Sequence, residues 1–545
     1  MERFSPSFFG RQLSLRRVLP AAVLLAVAGI LYFWRLNDAP MLMGGDEAYF
    51  AMHARSIALT ARDVDGRFLP LFFRIDPTTW YQPMLVYLMA PVLKVFGVSE
   101  WTVRAPIAAI AVLDVLLMYG VAKRLFGGVR HAVFAALLMA MTPVHVITGR
   151  MAMDYLCPVP FVLGWLWCLL VAMDTGNAWW ALGAGGLLAL GFFSYIAAWF
   201  MMPVYFLLTL AALWWTRDRS RLMLAAAGGF LAPLLPFVAW LRSHGDVLGT
   251  MLARYQFADS HHEWQQSIRD LLHFFVIQER LSLYWRYFDP VYLFLAGSPD
   301  PVLGTRKAGV FLVAVGVLLA VGLYDIVRRS DRSSLVLAGV VTAPIAPVLV
   351  NSGNAIQRQL VLIPFVVLAS VYGAGRLLQH PAKLVRVATV LLLVSLPLQF
   401  AYFAHDYFTD YRIRAAARID PINLREVARS LFAGEWGPIP RVYLGEALDD
   451  GVARWRFYLG KYGRDDLLAH TWTIDPPARN VWNVLQPVPM MPVRDDTIPP
   501  GSVFLLNAND PGMAELVGDG RCCELVREVR APSGAPASLL IRKTR

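Results

Sequence analysis

The sequence predicts an α-helical polytopic membrane protein with a small mixed α/β domain at its C-terminal end. Of its 545 residues, 57% are hydrophobic and 16% are charged, whereas soluble domains are roughly 45–50% apolar and 25% charged. Apolar runs long enough to cross a bilayer recur up to residue 402. Because lipid offers the backbone no hydrogen-bond partners, these runs are expected to be helices.

About eleven segments have the roughly 20 mostly apolar residues that a span requires. Lysine and arginine gather in the connections that fall on one side of these spans, which assigns that side to the cytoplasm. The net charge of +11 is therefore explained without nucleic-acid binding. No small-residue cleavage site follows the first run, so we expect it to remain as an anchor. The segments are 18–34, 104–122, 131–148, 156–173, 178–194, 197–215, 222–241, 308–327, 335–350, 358–378 and 385–402.

The opposite side of the membrane then receives two long loops, 35–103 and 242–307, and the polar segment 403–545. We accordingly divide the chain into a membrane domain, 1–402, and a soluble extracytoplasmic α/β domain, 403–545. In the second domain, helices are predicted from Asp420 to Ala433 and over Arg454–Tyr462. Short β-like runs are predicted at 441–445, 502–506, 524–529 and 538–541.

Two acidic residues, Asp46 and Glu47, lie shortly after the first span. Carboxylates are expensive close to hydrocarbon, so this pair indicates a functional site. The alternative is that Asp46 only caps a helix running from Glu47 to Leu59, since aspartate is a favoured N-cap. Further along the same loop, Met84–Phe96 is apolar but too short to span, so we expect it to lie in the membrane interface.

Other charged residues are predicted on the same membrane face. Arg150 and Asp154 are four residues apart, a spacing that would let them pair on one face of a helix as a structural or functional ion pair. Arg358 opens the tenth predicted span. In the second long loop, His261-His262-Glu263 is a weak metal candidate. Neighbouring helical side chains diverge by about 100°, whereas zinc pairs favour i,i+3 or i,i+4 spacing.

Taken in order, these motifs resemble the GT-C glycosyltransferases, specifically bacterial relatives of protein O-mannosyltransferases and of the lipid A aminoarabinose transferase. The resemblance covers about residues 20–410. One departure is that Tyr81-Gln82-Pro83 stands where the family has a lysine before a Pro-Pro pair. Arg74 or an arginine of the second long loop is expected to replace that lysine. The matching blocks are Gly45–Tyr49, Gln82–Leu88 continuing through Phe96–Pro106, Arg150–Asp154 and Gln357–Pro364.

The resemblance implies transfer of a sugar, with inversion, from a polyprenyl-phosphate donor to a lipid, glycan or protein acceptor. It places this reaction on the outer face of the inner membrane. Asp46, Glu47 and Asp154 are the expected catalytic residues. No cofactor is required and a divalent metal is not expected, because the leaving phosphate is stable without one. Arginine suits that phosphate because its guanidinium binds phosphate oxygens bidentately. The candidate donor-phosphate or substrate-binding residues are Arg74, Tyr81, Gln82, Arg150, Arg254, Arg280, Arg286 and Arg358.

Two other classes of function remain open from the residues alone. A lipid-linked sugar transporter, or flippase, would place charged residues at mid-membrane depth, and Asp114 is the clearest of these. A non-catalytic glycan-assembly protein would keep a transferase scaffold without its activity. Replacing Asp46 with asparagine separates transfer from transport, because transport would survive the change.

Overall fold

The structure is a computed structural model that describes residues 15–76, 79–245, 247, 274–329, 331–350, 353–435, 442–444, 451–469, 500–508 and 523–544. Arg254 and the motif His261-His262-Glu263 lie outside these residues. The described part of the membrane domain is predominantly helical, as the sequence predicts. Its helices are α1 Leu15–Phe33, α2 Gly45–Thr60, α3 Pro83–Phe96, α4 Glu100–Phe126, α5 Val129–Ala140, α6 Pro143–Thr148, α7 Pro158–Thr175, α8 Ala178–Phe192, α9 Ala198–Trp214, α10 Arg219–Leu231, α11 Leu235–Ser243, α12 Phe274–Arg286, α13 Val313–Val327, α14 Ser334–Thr342, α15 Ile345–Leu349, α16 Leu362–Leu378 and α17 Lys383–Asp406.

Several of these helices have the length and composition of membrane spans. Within the described residues, four helical stretches are long and apolar enough to cross a bilayer, and eight shorter apolar helices accompany them. The four are Glu100–Phe126, Asp154–Thr175, Arg219–Ser243 and Lys383–Ile419. These helices indicate a multi-pass membrane protein. The number of eleven spans stays a prediction.

The first long loop is an ordered assembly of α2, a two-stranded hairpin and α3. The hairpin pairs β1, Phe73–Asp76, with β2, Thr79–Tyr81, in antiparallel register. Helix α2 has nearly the predicted bounds, but Asp46 does not cap it. The N-cap is Gly44, whose N–H donates to the Glu47 carboxylate at 2.9 Å. A carboxylate that reaches back to the cap backbone stabilises a helix start in the same way as a capping box does.

Close helix contacts in the bundle depend on glycine. A Cβ on Gly322 of α13 would lie 1.9 Å from the Ala369 carbonyl oxygen, and one on Gly373 of α16 would lie 1.9 Å from the Leu318 carbonyl oxygen. Because neither glycine has a Cβ, the backbones of α13 and α16 can approach closely, as is typical of membrane helices with small residues at their contacts.

The C-terminal part is a mixed α/β unit. Its sheet has the order β3, β4, β6, β5, with β3 and β4 parallel and the other pairs antiparallel. All four predicted strands are present with small shifts in their ends. The strands are β3 Val442–Leu444, β4 Val503–Asn507, β5 Cys523–Arg530 and β6 Pro536–Lys543, and the helices are α18 Arg412–Ile419, α19 Leu424–Phe432, α20 Gly451–Lys461 and α21 Asp465–Ala469.

Two boundaries of this unit differ from the predicted ones. Helix α19 begins at Leu424 and not at Pro421, because the Asp420 carboxylate accepts the Leu424 N–H at 2.7 Å and so lies just before the helix. Helix α17 continues through a π-helical segment, Tyr407–Tyr411, into α18. The domain boundary placed at residue 402 therefore falls inside one continuous helical run.

The C-terminal unit contacts the first long loop directly. Helix α20 packs along α2, and the Lys461 ammonium lies 2.8 Å from both Glu100 carboxylate oxygens. Arg55 of α2 pairs with Asp465 of α21 at 2.5 Å. The two parts of the chain therefore share one interface beside Asp46 and Glu47.

Candidate active site

Asp46 lies in the first turn of α2 and its side chain is half-buried. The Tyr81 hydroxyl, at the end of β2, donates a hydrogen bond to Asp46 Oδ1. The Tyr81 ring stacks on Phe50, one turn along α2, with ring centroids 4.3 Å apart. Burial, followed by the negative charge of Asp46, raises the pKa of Tyr81 well above its usual value. Tyr81 is therefore a neutral hydrogen-bond donor that orients the Asp46 carboxylate.

Asp154 approaches the same place from another part of the chain. It begins a short 3-10 helix, Asp154–Leu156, and is only 5% exposed. Its carboxylate interacts electrostatically with both Asp46 and Tyr81. Two neighbouring carboxylates repel each other when both are ionised. The structure thus brings together the two acidic residues on which the predicted chemistry depends.

Arg358 belongs to an adjacent element. The 3-10 helix Ile356–Arg358 packs against the one that begins with Asp154. The Tyr287 hydroxyl accepts the Ala355 N–H at 3.2 Å and so fixes the approach to this helix. The acidic residues and one predicted arginine therefore lie in neighbouring elements, as the sequence predicts.

Glu47 has a different environment from Asp46, although the two are adjacent in sequence. Its side chain is completely buried, and it forms a bidentate pair with Arg104, with Nε–Oε1 and Nη2–Oε2 distances of 2.9 and 3.0 Å. Its oxygens also accept the N–H groups of Gly44 and Ala152. Through these contacts the Glu47 carboxylate links α2, α4 and the segment before Asp154.

The predicted pairing of Arg150 with Asp154 is wrong. The chain leaves the helical conformation after α6, so the two residues do not share a helix face. The buried Arg150 guanidinium instead directs all five of its N–H groups at backbone carbonyls, which leaves none for a phosphate. The acceptors are the carbonyl oxygens of Leu31, Tyr32, Trp34, Arg35 and Ala39.

The other predicted binding residues are dispersed. Arg74 is exposed beside Asp65, at 3.4 Å, and Arg280 donates to the Val348 carbonyl at 2.8 Å. Arg286 lies on a polar cleft of about 520 Å³ beside α12. Gln82 is buried next to Tyr81, and neither of its amide atoms has a hydrogen-bond partner in the described part of the chain. Within those residues, no cluster of three or more His, Cys, Asp or Glu side chains is arranged to hold a metal ion.

An apolar groove of about 720 Å³ lies along α3, the helix that follows Tyr81 in the chain. Met84, three residues after Tyr81, lies at one part of its wall, and the groove is formed by α3, α4, α7 and α8. Its lining is almost entirely hydrocarbon and aromatic, which suits a lipid chain rather than a sugar. Residues that define it include Met84, Leu88, Leu113, Phe161, Trp167 and Trp180.

Comparison with known proteins adds independent evidence to this geometry. A sequence profile described as dolichyl-phosphate-mannose-protein mannosyltransferase matches residues 77–240. The crystal structure of ArnT from Cupriavidus metallidurans bound to undecaprenyl phosphate superposes with a TM-score of 0.59 over 96% of this chain and 98% of that one, at 14% sequence identity. The chain has the fold of the GT-C glycosyltransferases.

Two proteins of Bacillus subtilis also match parts of this chain by sequence. YycA, described as a candidate mannosyltransferase, is 34% identical over 132 residues, which are 24% of this chain and 19% of YycA. YkcB, described in the same way, is 32% identical over 163 residues, 30% of this chain and 22% of YkcB. The matched stretches thus cover about a fifth of either relative. The predicted resemblance to the GT-C glycosyltransferases is confirmed.

Two residues of the site were missed by the sequence reasoning. Arg104 was noted only as part of a family block, although a charged residue at the start of a span is a signal for a buried partner. Arg456 of α20 lies near Tyr49 and His53 of α2. No local pattern links Arg456 to α2, because the contact joins distant parts of the chain.

Proposed function

We propose that this GT-C protein transfers a sugar from a polyprenyl-phosphate donor to an acceptor hydroxyl or amine, at the extracytoplasmic face of the inner membrane. The observation that carries the proposal is a half-buried carboxylate, Asp46, held by Tyr81 and close to Asp154, together with an apolar groove along α3, the helix that follows Tyr81. A lipid-linked sugar needs both features in one place.

In this mechanism Asp46 accepts the proton of the acceptor nucleophile as it attacks the anomeric carbon. The bond from that carbon to the phosphate oxygen breaks in the same displacement, which inverts the anomeric configuration. The departing polyprenyl phosphate keeps the electron pair. Tyr81 orients Asp46, Asp154 positions the acceptor, and the groove holds the lipid chain. Arg358 and the unpartnered amide of Gln82 are the nearby groups suited to polar parts of the substrates.

Glu47, expected to be catalytic, and Arg150, expected to bind the donor phosphate or substrate, have supporting roles in this proposal. Glu47 is saturated by Arg104 and two backbone N–H groups. Arg150 is saturated by carbonyls at the end of α1. Both hold the backbone segments that carry Asp46 and Asp154.

The buried polar residues inside the helical bundle argue against the transporter alternative. Asp114 lies at mid-span but is hydrogen-bonded to His145 Nε2 at 3.3 Å, and His145 Nδ1 lies 2.5 Å from the Tyr32 hydroxyl. All three side chains are fully buried. They form a closed hydrogen-bonded chain and do not line a passage for a polar headgroup.

The proposal is tested with purified protein in lipid nanodiscs, labelled polyprenyl-phosphate sugars and candidate lipid, glycan and peptide acceptors. Loss of a general base is expected to lower transfer by about 100-fold or more, so Asp46→Asn should be nearly inactive. Asp38→Asn is the matched control, because Asp38 lies before α2 in a surface pair with Arg35. Absence of product from every donor, with Asp46→Asn cells behaving like wild-type cells, would remove the enzymatic interpretation.

A further inference from the structure

The donor site needs a cation for the departing phosphate, and the predicted arginines supply few. Arg150 is saturated by five carbonyls. Arg280 donates to a carbonyl at the end of α15, and Arg74 is exposed next to a carboxylate. The lysine expected from the GT-C resemblance is replaced by Gln82. Arg358 lies on the side of the site that carries Asp154. A second cation that binds the phosphate would have to come from the side of α2.

Helix α20 of the C-terminal unit brings an arginine to that side. A Cβ on Gly460 would lie 3.5 Å from side-chain atoms of Met52 and Arg55, so this turn of α20 lies directly on α2. Arg456 is one turn earlier in α20. It interacts electrostatically with Tyr49, which precedes Met52 in α2, and with His53. The two helices therefore run in the same direction, and Arg456 faces α2 near its start.

Tyr49 lies three residues after Asp46, so the two side chains are neighbours on α2. Arg456 therefore interacts with a residue that neighbours Asp46 on α2. Its side chain is half-buried, whereas those of Arg104 and Arg150 are completely buried. Arg456 is therefore placed to contact a ligand that enters beside Asp46, whereas the buried Arg104 and Arg150 are not.

We propose that Arg456, a residue of the C-terminal unit, contacts the phosphate of the polyprenyl carrier and completes the donor site. This inference rests on the proposed transferase function. It gives the C-terminal unit a direct part in substrate binding, with the ion pairs Lys461–Glu100 and Arg55–Asp465 holding α20 in place.

The electrostatic environment of Arg456 agrees with this role. Burial lowers the pKa of Arg456 to about 10, while the neighbouring Tyr49 phenol favours the charged form. The guanidinium is still charged at neutral pH. A cation that has already lost part of its water is screened less, so its attraction for a phosphate is stronger than at an open surface.

The test measures binding of undecaprenyl phosphate and of undecaprenol to the full-length protein in nanodiscs, without any sugar. Wild-type protein should prefer the phosphate. A charge-assisted hydrogen bond is worth roughly 10- to 100-fold in affinity, so Arg456→Gln should weaken phosphate binding by that factor and leave undecaprenol binding unchanged. Arg456→Lys should be intermediate, because it keeps the charge and loses the bidentate fork.

Arg464→Gln is the matched control, because Arg464 follows α20 and pairs at the surface with Asp466. Arg456→Gln protein that retains the full preference for the phosphate, or loses affinity for both lipids equally, overturns the inference. These outcomes are distinct from failure of the proposed function. That failure would appear as a wild-type protein without phosphate preference, or as an Asp46→Asn protein that still transfers sugar.

Discussion

Asp46 and Glu47 are adjacent carboxylates whose surroundings give them opposite properties. The peptide bond between them lies in the first turn of α2, so their side chains point in directions about 100° apart. One direction leads to Tyr81 and a half-buried site, and the other leads to Arg104 in the interior. A difference of one position in the helix therefore separates the proposed general base, Asp46, from a residue that holds the fold, Glu47.

Replacing Glu47 tests this division of roles. Glu47→Gln leaves the buried Arg104 guanidinium without its counter-charge, and breaking a buried ion pair in this way costs about 3–5 kcal/mol. We expect a clear drop in thermal unfolding temperature in detergent, whereas Asp46→Asn should unfold at nearly the wild-type temperature. The surface control Asp38→Asn should change stability by about 1 kcal/mol or less. Equal stability of Glu47→Gln and wild-type protein would contradict the structural assignment.

His53 makes the fold sensitive to acid. It is 2% exposed against Phe73, and burial lowers its pKa from 6.5 to about 4. In the unfolded chain, His53 therefore takes up a proton below about pH 6.5, whereas in the folded chain it does so only near pH 4. Stability should fall as the pH drops through this window, by about 2 kcal/mol at pH 5.

The measurement compares unfolding at pH 7.5 and pH 5 for wild-type protein and for His53→Phe, which keeps a ring beside Phe73. The substitution should reduce the loss of stability between the two pH values. If both proteins lose stability equally, another group is responsible for the acid sensitivity.

At the scale of elements, the bundle depends on where glycine lies in a helix. Gly373 and Gly375 are both in α16, but a Cβ on Gly373 would collide with the Leu318 carbonyl, while one on Gly375 would meet nothing within 4 Å. Gly373→Ala must push α13 and α16 apart, at a cost of about 1–3 kcal/mol. We expect a lower yield of monodisperse protein and a lower unfolding temperature for Gly373→Ala. Gly375→Ala should match the wild type, and a reversed order would show that these helices are not in contact here.

Local patterns predicted the elements of the first loop and of the C-terminal unit. The periodic and turn-bounded segments that became α2, α3, α20 and the strands carry their signal within a few residues. The meeting of Asp46 with Asp154 was predicted from topology together with family resemblance. The partner of Arg150 was not predictable in this way, because helical spacing says nothing about carbonyls contributed by a distant helix end.

At the scale of the whole molecule, the C-terminal unit and the membrane domain are joined by ions buried between them. Glu100 is 3% exposed and lies between Lys461 and Arg425. Lys461→Glu should place like charges in this contact and increase hydrogen exchange of α20. Combining it with Glu100→Lys restores the opposite charges and should recover part of the protection. No recovery in the double variant would mean that the pair does not hold the two units together.

The five carbonyls bound by Arg150 also bear on how the protein is made. Leu31 and its neighbours leave the ribosome well before Arg150, which follows Leu31 by 119 positions. At a bacterial rate of up to about 20 residues per second, that interval is several seconds. During biosynthesis the end of the first helix must remain near water or the translocation machinery until its guanidinium arrives. A nascent chain arrested before residue 150 is therefore incomplete at its very first membrane helix.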